Sequence, residues 1–141
     1  MKKEVKIKPF LKWAGGKGQL IEKIERFYPF DKKINKYAEP FIGGGAVLFD
    51  ILNKFELEKI YISDVNLELL NCYKVIKEKV QELINELKRF ENEFLVKVKE
   101  DRKEYYYTKR EQFNKLKLEN NNEEVKRAAL MIFLNRTCFN G

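Results

Sequence analysis

The sequence predicts an α/β protein with an incomplete parallel sheet over residues 1–66, followed by a helical region over residues 67–141. Three observations lead to that division. Two short apolar runs, Tyr37–Ile42 and Lys59–Ser63, bracket a segment of helical period, and alternation of strand and helix is the pattern of a parallel sheet. Three consecutive glycines, Gly43-Gly44-Gly45, join the first run to that segment. From Leu67 onward the apolar residues recur at helical spacing and no strand-like run appears.

Each element follows from its residues. Lys2–Phe10 reads as extended, because Pro9 disfavours helix before it. Gln19–Tyr28 places Leu20, Ile21, Ile24, Phe27 and Tyr28 at helical spacing, with Pro29 as a stop. Tyr37–Ile42 is a strand running into the glycines. Ala46–Phe55 is a helix burying Val47, Leu48, Ile51, Leu52 and Phe55. Lys59–Ser63 is the second strand, ending at Asp64. Leu69, Tyr73, Ile76, Val80, Leu83, Leu87 and Phe90 step by threes and fours, which predicts one long amphipathic helix or two with a short break. Glu91–Glu104 is a charged linker or helix end. Tyr105–Leu118 is helical with Phe113 and Leu116 inward. Asn120–Glu124 is a loop that supplies an N-cap. Val125–Leu134 is the last helix, and Asn135–Gly141 is loop-like. Two strands do not make a stable doubly wound sheet alone, so strands are expected from elsewhere.

Composition narrows the chemistry. Hydrophobic residues make up 44% of the 141 residues and aromatic residues 13%, enough for a packed core. The formal charge is +7 and the pI is near 9.3, which favours an acidic partner, nucleic acid foremost. The chain has no histidine, which excludes histidine acid–base catalysis. Cys72 and Cys138 are the only cysteines, too few for a disulfide framework or a zinc site, so no metal is expected. The N-terminal residues carry no apolar run of signal length, and no window of about 18 apolar residues exists. The expectation is a soluble, cytoplasmic protein with no membrane segment.

Strand, glycine turn and helix form the arrangement that binds nucleotides at a helix N-terminus, and missing Cβ atoms let a ligand approach the backbone. Both common phosphate motifs fail. G-x-G-x-x-G would need glycine where Leu48 stands, and Gly16-Lys17 is followed by Gly18 rather than Ser or Thr. Glu39 beside the turn would repel a pyrophosphate. An adenosine ligand with little negative charge fits better, and a nicotinamide dehydrogenase is disfavoured. Asp64 lies about 20 residues after the glycines, the spacing of a carboxylate that accepts from a ribose diol. Its alternative use is to cap the helix starting near Asn66.

Four segments resemble one family. EPFIGGGAV (Glu39–Val47) is similar to the cofactor motif of S-adenosylmethionine-dependent DNA methyltransferases. PFLKWAGGKGQL (Pro9–Leu20), KIYISDVN (Lys59–Asn66) and FLNRTCFNG (Phe133–Gly141) resemble, in the family's order, segments of the Dam-type (D12 class) adenine-N6 branch. The resemblance implies a Rossmann-like methyltransferase core, S-adenosylmethionine as cofactor, double-stranded DNA as partner, and methyl transfer to adenine N6. It makes Trp13 an aromatic wall of the cofactor site, and puts Lys17 on the cofactor side of the pocket. Glu39, Phe41, Gly43 and Gly45 match its methionine and backbone face, and Asp64 its ribose-binding acid. Lys12 matches a lysine that approaches DNA bases. Arg136, Phe139 and Asn140 match the DNA-facing loop, Arg136 toward phosphate and Phe139 as an aromatic that fills the stack when adenine is extruded. Read without the family, Trp13 and Phe139 would be core residues, and Lys17 and Arg136 solvated cations.

The family's catalytic tetrapeptide, Asp-Pro-Pro-Tyr or a variant, does not occur: the only prolines are Pro9, Pro29 and Pro40. No catalytic residue is therefore assigned, and the chain is expected to be inactive alone. It corresponds to an N-terminal portion, which a C-terminal half on a separate chain could complete. The alternative is a non-enzymatic DNA-binding or regulatory remnant of the same fold. Target sequence and any paired restriction enzyme are not legible.

Overall fold

The computed structural model describes residues 6–116 and 122–138. It divides into two compact units, Met1–Val65 and Asn66–Gly141. Among the described residues there are two strands and six α-helices.

The first unit holds both strands. β1 (Lys36–Pro40) pairs in parallel with β2 (Lys59–Ser63), Lys36 opposite Lys59 and Pro40 opposite Ser63. β1 stops two residues earlier than the expected Tyr37–Ile42. Phe41 takes φ 60, which ends an extended strand, although the Ile42 N–H still donates to the Ser63 carbonyl at 3.0 Å. α1 (Ile21–Ile24) is a single turn flanked by 3₁₀ segments at Lys17–Leu20 and Glu25–Phe27, so the helix expected over Gln19–Tyr28 is broken into tight turns. Its apolar face is correspondingly narrower: Ile21, Ile24 and Tyr28 are half-buried, but Leu20 and Phe27 are exposed. α2 (Ala46–Lys54) buries Val47, Leu48 and Ile51, with Leu52 and Phe55 half-buried. Leu11 and Ile42 complete this core. Beside it Phe30 packs on Phe55 and Tyr37, with ring centroids 5.4 and 5.8 Å apart. Such offset and edge-on pairs stabilise beyond their buried area.

The second unit is helical. Of the two readings the apolar spacing allowed, the structure takes two helices with a short break: α3 (Leu67–Glu78) and α4 (Val80–Leu95), parted by Lys79 at φ −138 and ψ 37. The break changes the phase of the apolar stripe. Leu69, Cys72 and Val75 are buried on α3 and Leu83 and Phe90 on α4, while Val80 is exposed. α5 (Lys99–Lys115) begins inside the stretch expected as linker, leaving only Val96–Val98 between helices. Phe113 and Leu116 are half-buried as an inward face requires; the buried residue of α5 is Lys109. Its ammonium lies 4.4 Å from the Phe90 ring centre and 4.8 Å from that of Tyr105, with Glu93 Oε2 at 3.6 Å. Cation–π contact and a carboxylate together offset its desolvation.

α6 (Glu124–Thr137) runs three residues beyond the expected Leu134, so Asn135 and Arg136 are helical rather than loop. Of the loop expected to supply its cap, Asn120 and Asn121 lie outside the described residues, and Glu123 stands at the N-cap position without a side-chain hydrogen bond. α6 packs against α3, α4 and α5, which is why its buried residues run nearly continuously from Arg127 to Phe133. The Phe133 ring meets Phe90, Phe94 and Tyr105 at 5.7, 5.5 and 5.7 Å. No helix of the described residues is long and apolar enough to cross a membrane.

Candidate cofactor-binding cleft

The first unit carries a cleft of ≈ 150 Å³ at the carboxyl ends of its two parallel strands. That is where open α/β sheets bind ligands, because the chain turns away there and backbone groups face outward. Trp13, Lys17, Glu39, Phe41, Gly43, Gly45 and Asp64 all line it. The seven residues expected on the cofactor side thus converge on one cavity, though they come from three stretches of chain.

The glycine turn shapes the floor. Gly43 and Gly45 have φ 53 and 78, left-handed values that residues with a Cβ rarely adopt. Gly45 is also the N-cap position of α2, and its N–H donates to the Ile42 carbonyl at 3.0 Å. The space beside Gly43 and Gly44 is taken by Trp13 on one side. A Cβ on Gly43 would stand 3.1 Å from Trp13 Cδ1, and one on Gly44 3.0 Å from Trp13 Cβ. The glycines therefore seat an indole, where the sequence suggested only a ligand. Phe41, also left-handed, is 69% exposed at the mouth. Such a backbone costs about 1–3 kcal/mol and persists where surrounding structure imposes it.

Trp13 and Lys17 are placed by a second turn. The Gly16 N–H donates to the Trp13 carbonyl at 3.2 Å, and Gly15, with φ 72, supplies the left-handed corner. Lys17 follows as the first residue of its 3₁₀ segment and directs Nζ to Glu39 Oε1 at 3.0 Å. The other carboxylate oxygen of Glu39 accepts from the Tyr37 hydroxyl at 2.8 Å. Glu39 is 5% exposed and Lys17 42%, so the anion is held inside and its counter-ion reaches out to water. Burial and the neighbouring Glu39 raise the Tyr37 phenol well above its ordinary value. Tyr37 had not been singled out; it stands two residues before Glu39, on the same strand face, which is the signal that could have found it.

Asp64 follows β2 directly. Its Oδ2 accepts the Gly43 N–H at 3.0 Å. Helix capping, its alternative role, belongs to Asn66, whose Oδ1 accepts from the Leu69 N–H at 3.1 Å.

The residues expected to meet DNA fall in both units. Lys12 is exposed in the first unit, beside Trp13 in sequence. Arg136 is exposed in the last turn of α6 in the second unit. Phe139 and Asn140 lie outside the described residues. Among the described residues no group of three or more His, Cys, Asp or Glu side chains is placed to hold a metal ion.

Comparison with known proteins follows the same segments. A family model described as D12 class N6 adenine-specific DNA methyltransferase matches residues 13–141. The chain is 54% identical over 140 residues to the Type II methyltransferase M.MjaIII of Methanocaldococcus jannaschii, covering 97% of this chain and 48% of that protein. It is 36% identical to the Type II methyltransferase M1.LlaDCHI of Lactococcus lactis, covering 99% and 44%. It is also 36% identical to a DNA adenine methylase of Haemophilus influenzae, covering 100% and 44%. The chain thus spans about half the length of these curated relatives.

Proposed function

Because this chain belongs to the D12 class N6 adenine-specific DNA methyltransferase family, we propose that its first unit is the methyl-donor site of an enzyme that methylates adenine N6 in duplex DNA. The core would be Rossmann-like, completed by strands beyond the two described. The observation that carries the reading is the meeting of Glu39, Lys17, Gly43 and Asp64 in one cleft at the strand ends.

The residues present fit S-adenosylmethionine. A buried carboxylate and a partly exposed ammonium, 3.0 Å apart, match the opposite charges of an amino-acid end. Glu39 would take the ligand's ammonium and Lys17 its carboxylate. Asp64 would accept from the ribose hydroxyls, with the Gly43 N–H fixing its orientation. Trp13 and Phe41 would flank the ligand with apolar area and exclude water from it. When bound, the cofactor supplies a methyl group on a positively charged sulfur, an electrophile that needs no metal and no histidine. The cleft, at ≈ 150 Å³, is below the roughly 300 Å³ at which ligand pockets usually begin, so further walls are needed for full enclosure.

On this reading Lys12 and Arg136 face DNA, with Phe139 and Asn140 beside the extruded base. The tetrapeptide that would clamp the target amine is not among the 141 residues. Methyl transfer needs that nitrogen held in line with the methyl group, so the present chain supplies the donor side alone. Calorimetric titration with S-adenosylmethionine and its demethylated product tests this. One-site binding of both, weakened at least tenfold by Asp64→Ala with unchanged circular dichroism, is the expected result. No binding by the unaltered chain overturns the donor-site reading, and unchanged affinity in Asp64→Ala overturns the role of Asp64.

A further inference from the structure

The two side chains that donate to Glu39 among the described residues are unlike each other. Lys17 Nζ stands 3.0 Å from Oε1, and the Tyr37 hydroxyl 2.8 Å from Oε2. Lys17 is 42% exposed and belongs to the cleft lining, whereas Tyr37 is half-buried and not part of that lining. Tyr37 and Glu39 alternate with the exposed Lys36, Ala38 and Pro40, so both stand on the covered face of β1. The Tyr37 ring packs edge-on against Phe30, a contact that phenylalanine would make equally well. Packing therefore accounts for the ring and not for the hydroxyl, whose acceptor is the Glu39 carboxylate.

A carboxylate offers roughly four acceptor sites, so two donors leave room for a ligand ammonium. The donors respond differently to such a ligand. The carboxylate of an amino-acid end draws on the Lys17 ammonium, which Glu39 then shares or loses. The Tyr37 hydroxyl, outside the cleft lining, has no ligand group to turn to and stays on Oε2. Burial first, then the hydrogen bond to Glu39, raises the phenol well above its ordinary value, so it still donates at neutral pH. Without that bond Glu39 is free to turn both oxygens to Lys17, and this ion pair competes with the incoming ammonium.

We propose that Tyr37 is a positioning residue of the methyl-donor site: its hydroxyl fixes the Glu39 carboxylate for the ammonium of the ligand's amino-acid end, and so favours ligands that carry that end. The inference rests on the donor-site reading above and adds to it a residue that does not touch the ligand. An anion held in place beforehand has less freedom to lose when the ligand arrives, which is how such a residue raises affinity.

The test is calorimetric titration of the full 141-residue chain and of its Tyr37→Phe variant with two probes. One is the demethylated product of S-adenosylmethionine. The other is methylthioadenosine, the same nucleoside thioether without an amino-acid end. In Tyr37→Phe the first should bind about tenfold more weakly, the size of one hydrogen bond to a charged group, and the second within about twofold of the unaltered chain. Equal weakening of both probes, no weakening of the first, or binding of methylthioadenosine alone by the unaltered chain overturns the proposal. The first two outcomes leave the donor-site reading standing. Should Tyr37→Phe not fold, fluorotyrosine in place of Tyr37 keeps both ring and hydroxyl. Its fluorine resonance should move on addition of the first probe and not of the second, and the same response to both overturns the proposal. Binding of neither probe by the unaltered chain overturns the donor-site reading and this inference with it.

Discussion

The backbone N–H of Gly43 donates to Oδ2 of Asp64 at 3.0 Å, joining the turn after β1 to the residue after β2. One short bond thus links the two features that the sequence offered separately. Asp64→Asn keeps a carbonyl oxygen for that N–H and removes the charge. It should change urea stability by less than about 1 kcal/mol, whereas Asp64→Ala leaves the donor unpaired and should cost about 1–3 kcal/mol. Both should weaken binding of S-adenosylmethionine. Equal stability of the two variants would show that the bond to Gly43 carries no weight.

Gly43→Ala combines two penalties, a left-handed φ and a Cβ placed 3.1 Å from the indole. A loss of about 1–3 kcal/mol is expected, since strained backbone and overpacking each cost of that order. Trp13 is the sole tryptophan, so its fluorescence reports this cleft directly. The emission maximum should shift in Gly43→Ala, and it should shift in the unaltered chain when S-adenosylmethionine is added.

Three tyrosines make stability sensitive to alkali. Tyr28 is pushed up to about 12, first by burial and then by Asp50. Tyr37 and Tyr105 are raised further by burial, with Glu39 and Glu93 as their respective partners. In each case the unfolded chain releases its proton near pH 10 while the folded chain keeps it. The stabilisation is therefore complete below about pH 10 and is lost as pH rises through the folded value. The urea midpoint should fall steadily above pH 10, and the decline should flatten in Y28F/Y37F/Y105F. A midpoint independent of pH up to 12 would contradict the burial assigned to these phenols.

Arg127 is 6% exposed on α6, ion-paired and hydrogen-bonded with Glu68 on α3, and its guanidinium donates to the carbonyls of Phe113 and Leu116 at the end of α5. It ties three helices of the second unit together. Arg127→Met should destabilise that unit by about 3–5 kcal/mol, because it leaves a carboxylate and two carbonyls without their donor. Arg127→Lys should recover little, since an ammonium cannot reproduce the planar fork. Adding Glu68→Gln to Arg127→Met should restore part of the loss, measured by chemical denaturation.

The 141-residue chain should transfer no methyl group from S-adenosylmethionine to duplex DNA when incubated alone. Addition of a second polypeptide carrying the family's Asp-Pro-Pro-Tyr segment should restore transfer, read by radiolabel incorporation into adenine. Turnover by the chain alone would show that the amine clamp is supplied by residues not yet assigned.

Much of this protein was legible in order of residues alone. Strand, glycine turn, helix and strand follow from short apolar runs, helical period and the steric freedom of glycine, all settled within a few neighbouring residues. Asp64 could be placed at a strand end for the same reason. Tertiary structure decided what these pieces meet. Glu39 pairs with Lys17 across 22 positions, and the glycine turn holds an indole as well as facing a cleft. Lys109 turned inward because the rings of Phe90 and Tyr105 and the carboxylate of Glu93 were there to receive it. The apolar spacing allowed one long helix or two, and the backbone of Lys79 decided for two. Local sterics restrict the backbone before the chain closes. The partner of a buried charge is chosen only on closure, when leaving that charge unpaired becomes the larger cost.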